Sequence, residues 1–321
     1  MRKREEGKMS RYTYAWFAVL AVTVLWASSL IFAKIVFVEL TPIAFVALRY
    51  TIACPILIPM AQFARRRQKP SVESRKHWKA VVAAGLAGPF LSQVMQYIGL
   101  NMTTASDAVL LLNFTPVFAV ILAAAVIDER MTVTKLLGLA MATLGATMIV
   151  FNPAAVDPNI SPTRLIGDII LIASTFFFAV NGIIGKIAVK SVDSVSLTLY
   201  STLSAVPFLW VSVILFEDLS VLLALSPETW IIIIWVGIVN TALAFMLYYE
   251  SMKHIEASKV QIALNLIGVW GVLMSIPILG ETISLLQILG GAVTIFGVIM
   301  VQRGRANRHK NQSTEGFQEN F

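Results

Sequence analysis

The second half of the chain repeats the first at a fixed offset of 152 residues. Residues 105–150 align with 257–302 without a gap and give 12 identities in 46 positions. A shared apolar composition accounts for part of that count, but it does not place Trp, Pro, Asn and charged residues in one register. The chain therefore contains two copies of one structural unit. The clearest recurring pairs are Lys34 with Lys186, Pro55 with Pro207, Trp78 with Trp230, Tyr97 with Tyr249, Asn113 with Asn265 and Glu129 with Glu281.

Long apolar segments dominate both copies. Hydrophobic residues make up 57% of the chain and charged residues 13%, whereas an average soluble domain has about 25% charged residues. A helix that crosses a bilayer needs about 20 mostly apolar residues. The two-residue alternation of a transmembrane barrel is missing, so helices are the predicted spanning elements. Ten segments qualify: 13–33, 41–63, 79–100, 105–127, 133–151, 165–186, 193–216, 229–250, 257–279 and 283–302.

Basic residues are concentrated on one side of these spans. The net charge is +7, and Lys and Arg cluster in residues 1–12, in the 64–78 loop and in residues 303–321. The loops on the opposite side carry few basic residues, so the positive-inside rule puts both termini in the cytoplasm. We interpret the basic stretches as topology signals of a multi-pass plasma-membrane protein and not as nucleic-acid contacts.

Five spans in each repeat give the second repeat the opposite orientation in the membrane. The predicted fold class is an all-α integral membrane protein with ten transmembrane helices in two inverted five-helix repeats. Inverted repeats are typical of alternating-access transporters, whose site lies between the repeats. The predicted order is a cytoplasmic N-terminus at 1–12, repeat 1 at 13–151, an external linker at 152–164, repeat 2 at 165–302 and a disordered cytoplasmic tail at 303–321.

Arg49 is the most unusual polar residue within a span. It lies about eight residues into the second span, roughly 10 Å below its start at about 1.5 Å per residue. A guanidinium at that depth needs a carboxylate, a phosphate or several carbonyl groups. Two interpretations remain open: Arg49 binds a solute carboxylate, or it makes a structural contact. Its counterpart in repeat 2 is Ser201, so the repeat does not require the charge.

Other polar and aromatic residues within spans are also candidates for solute contact, because such residues in lipid face a packed interior or an aqueous cavity. The alternatives are hydrogen bonds between helices and, for tyrosines at span ends, the interfacial aromatic belt. The wider set also includes Asn240 and Tyr249. The predicted solute-binding residues, besides Arg49, are Trp26, Ser29, Gln93, Gln96, Tyr97, Asn113, Asn181, Tyr248, Asn265 and Trp270.

Two kinds of charged residue, a lysine and a glutamate, occur at equivalent positions of the two repeats. Lys34 and Lys186 end the first and sixth spans on opposite sides of the predicted membrane. Either their ammonium groups reach the interface, or each gates or attracts anions at one mouth. Glu129 and Glu281 are predicted to be structural, because each precedes a helix whose N-terminal dipole favours an anion.

The middle of each predicted span lacks Asp and Glu. A proton-coupled exporter of cations needs such a carboxylate as a relay, so the pattern favours facilitated efflux or exchange of neutral, zwitterionic or weakly anionic solutes. The histidines His77, His254 and His309 lie in loops or tails. The sequence shows no catalytic pair at depth, no metal-ligand cluster and no cofactor motif, so enzyme function is not predicted.

Small residues are concentrated in the fifth and tenth spans, where they let backbones approach closely. We expect these spans, with the fourth and ninth, to form an outer scaffold. Spans 1–3 and 6–8 would then line a central cavity.

Several short motifs occur in a fixed order. They include Trp26-Ala27-Ser28-Ser29 with Lys34, Ala47-Leu48-Arg49-Tyr50, Gln96-Tyr97-Ile98-Gly99-Leu100, Thr115-Pro116-Val117-Phe118 and Gly280-Glu281-Thr282. Over residues 13–302, the chain resembles the EamA-type ten-helix exporters of the drug/metabolite transporter superfamily. One departure is Gly268, where that family commonly has a helix-kinking Pro.

The resemblance implies a secondary transporter that exports small organic metabolites, such as amino acids or related solutes, across the plasma membrane by alternating access. A lipid-linked sugar flippase or carrier subunit and a sugar-phosphate-type antiporter are the alternatives, since one fold serves many substrates. The expected partners are a small-molecule solute and the lipid bilayer. The sequence leaves open the solute, the coupling ion and the choice between monomer and homodimer.

Overall fold

Regular structure is helical throughout the part of the chain that the computed structural model describes, which is residues 2–67, 78–103, 111–150, 162–279 and 285–303. A short 3₁₀ helix, Leu219–Leu223, follows α7. The helices are α1 Arg2–Val36, α2 Pro42–Arg67, α3 Trp78–Met102, α4 Thr115–Ile127, α5 Val133–Val150, α6 Pro162–Ala188, α7 Ser194–Phe216, α8 Pro227–Met252, α9 Ala257–Ala263, α10 Leu266–Leu279 and α11 Leu285–Arg303.

Side-chain caps set the starts of α7 and α8. Asp193, directly before α7, accepts a hydrogen bond from the backbone N–H of Ser196 (2.9 Å). Ser226, directly before α8, accepts one from the backbone N–H of Thr229 (3.2 Å), and Pro227 occupies the first helical position. These contacts satisfy N–H groups that a helix start leaves unpaired, so the two boundaries are encoded locally.

Seven of the described helices are long and apolar enough to cross a membrane: Arg11–Ala33 of α1, and α2, α3, α6, α7, α8 and α11. In the described ranges, α4 and α5 are shorter apolar helices. The prediction of an all-helical membrane protein is confirmed, whereas ten continuous spans are not reproduced. The predicted span 257–279 is two helices, α9 and α10, separated by a turn at Leu264 and Asn265.

This interruption has a counterpart in the first repeat. Asn113 and Phe114 form a turn directly before α4, and Asn265 lies 152 positions after Asn113. An interrupted helix leaves backbone N–H and C=O groups that need other partners. Within a membrane, such backbone is tolerated where it is buried in protein or lines a cavity.

α3 and α8 each contain a π-helical segment, Leu86–Ser92 in α3 and Val236–Leu243 in α8. The wider π turn changes the direction of the side chains that follow it, and such segments are frequent at functional sites. The two segments overlap in the repeat register, since residue 86 corresponds to 238 and residue 92 to 244. Both repeats therefore carry the same distortion.

Backbone-to-backbone packing joins α5 to α11. A Cβ atom at Gly145 would lie 2.4 Å from the backbone nitrogen of Thr294, and one at Gly297 would lie 2.6 Å from that of Ala142. A residue without a side chain is needed at this separation. The contact agrees with the tight packing expected of the fifth and tenth spans.

Gly145→Val is expected to force α5 away from α11, because the new side chain would meet backbone atoms. Overpacking of this kind costs about 1–3 kcal/mol or more. The measurement is the thermal melting of the purified protein in detergent. Gly271→Val is the matched control, since a Cβ atom at Gly271 meets no atom within 4 Å. Equal melting temperatures for the two variants would contradict the prediction.

At one end of the bundle, named here the Thr41 end, α1 is followed by α2 and α7 by α8. Glu217 accepts hydrogen bonds there from the hydroxyl of Thr41 and from the backbone N–H of Ala44 (3.1 Å). Ser226 donates its backbone N–H to Glu39 (2.9 Å), and this bond lowers the pKa of the Glu39 carboxyl group. These contacts connect the two repeats at the Thr41 end.

At the opposite end, named the Glu129 end, one carboxylate joins α4 to α9. Glu129 accepts hydrogen bonds from the N–H of Ala257 (2.7 Å) and from the hydroxyl and N–H of Ser258 (2.5 and 3.3 Å). Lys135 lies 3.5 Å from Glu129 and 2.7 Å from Glu256. Glu129 thus caps the start of a helix in the other repeat and not the start of α5, which follows it in sequence.

Candidate functional site

A cavity lies between the two repeats. It holds about 790 Å³ of atom-free space, its mouth included. Its walls come from α1, α2, α3, α4, α6, α8 and α10, from the residues directly before α4 and from the turn between α9 and α10. The lining residues are Trp26, Ser29, Leu30, Arg49, Ser92, Gln93, Gln96, Tyr97, Leu112, Asn113, Thr115, Pro116, Ser174, Thr175, Phe178, Phe245, Leu264, Asn265, Ile267 and Gly268.

Arg49 of α2 is held in this wall by neutral side chains. Its Nε donates to Thr241 (2.9 Å), and one terminal nitrogen donates to Tyr97 (2.8 Å) and to Ser29 (3.4 Å). Three aromatic rings lie 5.6–5.8 Å from its guanidinium carbon, a distance at which a ring face attracts a cation. The residue is 2% exposed.

Within the described residues, no carboxylate lies within 4 Å of Arg49. A buried charge without an ion-pair partner costs free energy that hydroxyl groups and rings offset only in part. A solute that carries a carboxylate into the cavity would supply the missing partner. The planar guanidinium offers a fork of N–H donors that matches such a group.

The π segment of α8 positions two residues, Asn240 and Thr241, that bond cavity-lining side chains. Thr241 accepts from Arg49 and donates its hydroxyl to the backbone carbonyl five residues earlier (3.0 Å), within the π turn. The carbonyl of Asn240 accepts from the indole of Trp26 (3.1 Å), and the Asn240 side chain donates to Ser28 (2.9 Å). The distortion thus brings two adjacent residues into contact with α1 and α2.

Asn113 and Asn265 reach the cavity at the two helix interruptions. Asn265 donates to Thr143 of α5 (3.4 Å). Nδ2 of Asn113 is buried and has no hydrogen-bond partner in the described part of the chain. Gln93 donates to Gln96 (3.1 Å) on the same wall. The described lining residues therefore combine one cation, Arg49, with several amide groups.

Eight of the eleven predicted solute-binding residues line the cavity, whereas Asn181, Tyr248 and Trp270 do not. Trp270 donates its indole N–H to Thr23 (3.0 Å) and so links α10 to α1. Asn181 and Tyr248 are buried behind the cavity wall, and Asn181 accepts from Tyr249 (2.9 Å). A solute role for these three residues stays a prediction.

Of the two lysines predicted to gate the mouths, the structure describes the side chain of Lys186. Lys186, near the end of α6, donates to the carbonyls of Met252 and Ile255 (2.7 Å to the latter). Those carbonyls lie at and just after the end of α8, where a cation is favourable. Its gating role stays a prediction beside this capping contact. The side chain of Lys34, and all of Glu281, lie outside the described residues.

Sequence reasoning missed several cavity residues. Phe178 and Phe245 are the repeat counterparts of Trp26 and Gln93, so the 152-residue offset could have identified them. Hydroxyl residues carry no such signal, because Ser and Thr commonly hydrogen-bond within their own helix. Those missed are Ser92, Thr115, Ser174 and Thr175, which line the cavity, and Thr241, which acts through its contact with Arg49.

The prediction that the fourth and ninth spans belong to the outer scaffold is wrong. Thr115 and Pro116 from the fourth, and Leu264 and Gly268 from the ninth, line the cavity. Both segments reach it because the helix is interrupted there. The ninth span breaks at Leu264 and Asn265, before the Gly268 position at which the resemblance led us to expect a Pro kink.

Family relationships agree with this architecture. The sequence profile of the EamA-like transporter family matches residues 13–151 and, a second time, residues 165–303. The chain belongs to the EamA-like transporter family. An EamA protein is a membrane transporter of the drug/metabolite transporter superfamily, and the family is one of transporters and not of enzymes.

Relatives of this EamA protein occur in archaea and bacteria. An uncharacterized transporter of Archaeoglobus fulgidus is 26% identical over 287 residues, or 88% of this chain and 95% of that protein. The uncharacterized transporter YyaM of Bacillus subtilis is 25% identical over 81% of this chain and 84% of that protein. A probable terminal-alkyne amino-acid exporter of Streptantibioticus cattleyicolor is 25% identical over 74% of this chain and 77% of that protein.

A solved crystal structure is similar to the EamA protein in fold. The two superpose with a TM-score of 0.74 at 18% sequence identity, over 91% of this chain and 96% of that chain. At this identity the likeness concerns the fold alone.

Proposed function

We propose that this EamA protein exports small organic solutes that carry a carboxylate, such as amino acids or close analogues, by alternating access. The observation that carries the proposal is Arg49, a buried cation that lines the cavity and has no carboxylate partner among the described residues. The relative named a probable terminal-alkyne amino-acid exporter supports the same solute class.

The remaining walls suit a zwitterion with an apolar side chain. Trp26, Phe178 and Phe245 supply aromatic surface, which binds apolar groups and whose ring faces attract an ammonium. The unpartnered amide nitrogen of Asn113 supplies a donor. Described lining residues include no Asp or Glu, so the solute's carboxylate meets no like charge there.

A sugar-phosphate antiporter or a lipid-linked sugar flippase is the alternative. The phosphate monoester of a sugar-phosphate solute carries about two negative charges at neutral pH. Among the described lining residues, Arg49 alone is a Lys or Arg. A single guanidinium balances the one negative charge of a carboxylate, so the cavity favours the carboxylate solute over a phosphate monoester.

The proposal includes the ten-span inverted topology, with repeats at 13–151 and 165–302 and both termini on the cytoplasmic face of the plasma membrane. α1 then runs outward, so the Thr41 end is external and the Glu129 end cytoplasmic. Arg49 lies seven residues after the start of α2 at the external end, and the Glu129 contacts join α4 to α9 at the cytoplasmic end. Epitope tags near residues 10 and 310 that reach opposite faces would contradict this topology.

Solute counterflow in proteoliposomes tests the function. Phenylalanine is expected to exchange readily, whereas phenylalaninamide, which has the same shape without the carboxylate charge, is expected to exchange poorly. The flux is expected without a pH gradient, because the described lining residues hold no carboxylate relay. Exchange of glucose 6-phosphate with no exchange of amino acids would instead support the phosphate antiporter.

Thr241→Val is expected to lower phenylalanine transport, because the variant keeps the side-chain volume and removes the oxygen that accepts from Arg49. A hydrogen bond to a charged group contributes about 1.5–3 kcal/mol, which corresponds to a fall of about tenfold or more in kcat/KM. Thr198→Val is the control, since Thr198 is buried on α7 and bonds only its own helix among the described contacts. Equal transport by both variants would show that Thr241 does not position Arg49.

A further inference from the structure

The contacts around Arg49 recur in the second repeat without the charge. The counterparts of Ser29, Arg49 and Tyr97 are Asn181, Ser201 and Tyr249. Tyr249 donates its hydroxyl to Asn181 (2.9 Å) and also interacts with Ser201, as Tyr97 lies 3.4 Å from Ser29 and accepts from Arg49. The fold therefore builds two related polar sites, of which only the first lines the cavity.

The second site, which we name the inner cluster, consists of Asn181, Tyr248, Tyr249 and Gln261. Gln261 of α9 donates to the hydroxyl of Tyr248 (2.9 Å), and all four residues are fully buried. Nδ2 of Asn181 and Oε1 of Gln261 have no hydrogen-bond partner in the described part of the chain. Buried polar atoms are nearly always paired, so the two unpaired amide atoms of this cluster are free to bond a polar group of a solute.

One layer of aromatic rings separates the inner cluster from the cavity. Trp26, Phe178 and Phe245 line the cavity, and the ring of Tyr248 packs against them at centroid distances of 5.3, 5.9 and 6.3 Å. The inner cluster lies on the other side of this layer. The two polar sites are thus separated by the thickness of these rings.

The inner cluster faces the Glu129 end. Gln261 lies four residues after Ala257, whose N–H is capped by Glu129. The cluster also packs on bare backbone of α6: a Cβ atom at Gly182 would lie 2.4 Å from Nε2 of Gln261, and one at Gly185 would lie 2.5 Å from the Tyr249 ring. Movement of α9 away from α4 and α6 would expose the cluster at that end.

We propose that the inner cluster is a second solute-binding station, exposed to the cytoplasm when the Glu129 end opens. It holds amide and phenol groups and no cation, so it binds uncharged polar groups or an ammonium by hydrogen bonds. A solute would meet this neutral station first and the Arg49 site afterwards. The inference rests on the proposed function for its direction, whereas the accessibility of the cluster is independent of which solute is carried.

Sided cysteine labelling tests the station. Cys54 is the single cysteine of the chain, so Cys54→Ser gives a cysteine-free background for Gln261→Cys. We expect a membrane-impermeant maleimide to label Gln261→Cys from the cytoplasmic face and Ser29→Cys from the external face. Thr294→Cys, buried between α5 and α11, is the control and should stay unlabelled. The inference is overturned if Gln261→Cys stays unlabelled like the control or is labelled from the same face as Ser29→Cys.

Gln261→Leu provides a second measurement that separates binding from packing. A binding role predicts an about fivefold rise in the phenylalanine KM from the cytoplasmic face at any melting temperature, since the change removes both the unpartnered amide oxygen and the donor to Tyr248. A packing role predicts a lower melting temperature and an unchanged KM, and that result would overturn the inference. If amino acids show no flux in wild type, the proposed function fails while the labelling result still decides the station.

Discussion

Replacing Arg49 with Gln is expected to abolish most transport of carboxylate solutes while the fold is kept. Loss of a buried charge contact with the solute costs about 3 kcal/mol, or roughly a 100-fold fall in kcat/KM. A Gln side chain can still bond Thr241 or Tyr97, and it removes a buried charge that has no carboxylate partner among the described residues. The melting temperature is therefore expected to stay the same or to rise.

Proteoliposome flux and thermal melting, measured on the same preparations, check this result. The wild type should prefer phenylalanine to phenylalaninamide, and Arg49→Gln should lose that preference. Arg49→Lys keeps the charge but not the planar fork, and should fall in between at about a tenfold loss. Arg66→Gln, an exposed change on the same helix, should behave as wild type. Low melting combined with a retained preference would make Arg49 a structural residue.

Charge burial explains why the sequence could point to Arg49 and its surroundings. Burying a guanidinium in an apolar segment costs so much free energy that a functional or structural role is expected. The 152-residue repeat located Tyr97, Asn113 and Asn265, because each has an identical residue at the equivalent position of the other repeat. Of the residues that hold Arg49 in place, Ser29 and Tyr97 were predicted, whereas Thr241 could not be found in this way. Thr241 contacts it because α8 has a π turn there, and no single residue type specifies such a turn.

The residue type also does not show whether a polar side chain in a helix bundle lines the cavity or is buried behind the cavity wall. Asn181 and Tyr248 were predicted from the same reasoning as Ser29 and Gln96, yet they lie behind a layer of rings. Lys186 shows a related limit. Its position at a span end indicated an interface or a mouth, whereas its ammonium bonds carbonyls at the end of another helix. Contacts between helices distant in sequence decide both cases.

Glu129→Ala is expected to destabilise the protein and to open the Glu129 end. α4 ends at Ile127, and Asp128, whose backbone is left-handed (φ 52°), precedes the carboxylate that reaches α9. Removing that carboxylate leaves the N–H groups of Ala257 and Ser258 without their acceptor and weakens the charge balance around Lys135. Together these losses cost about 3 kcal/mol, measured as a lower melting temperature in detergent.

Ile183 can report whether that end opens. It is 3% exposed and packs with Ala123 of α4 and Ala257 of α9. In a chain with Cys54→Ser, the reporter Ile183→Cys should react faster with a membrane-impermeant maleimide from the cytoplasmic face when Glu129 is replaced.

Two further variants separate closure from stability. Glu228→Ala removes an exposed carboxylate from the first turn of α8 and should change neither the melting temperature nor the labelling rate of Ile183→Cys. Glu129→Gln keeps an oxygen for one N–H but loses the charge beside Lys135, so it should give intermediate values. If Glu129→Ala lowers the melting temperature without faster labelling, the carboxylate stabilises the fold but does not hold that end closed. Closure would then depend on the other contacts at the Glu129 end. One of them is the capping contact of Lys186, which donates to the carbonyls at the end of α8.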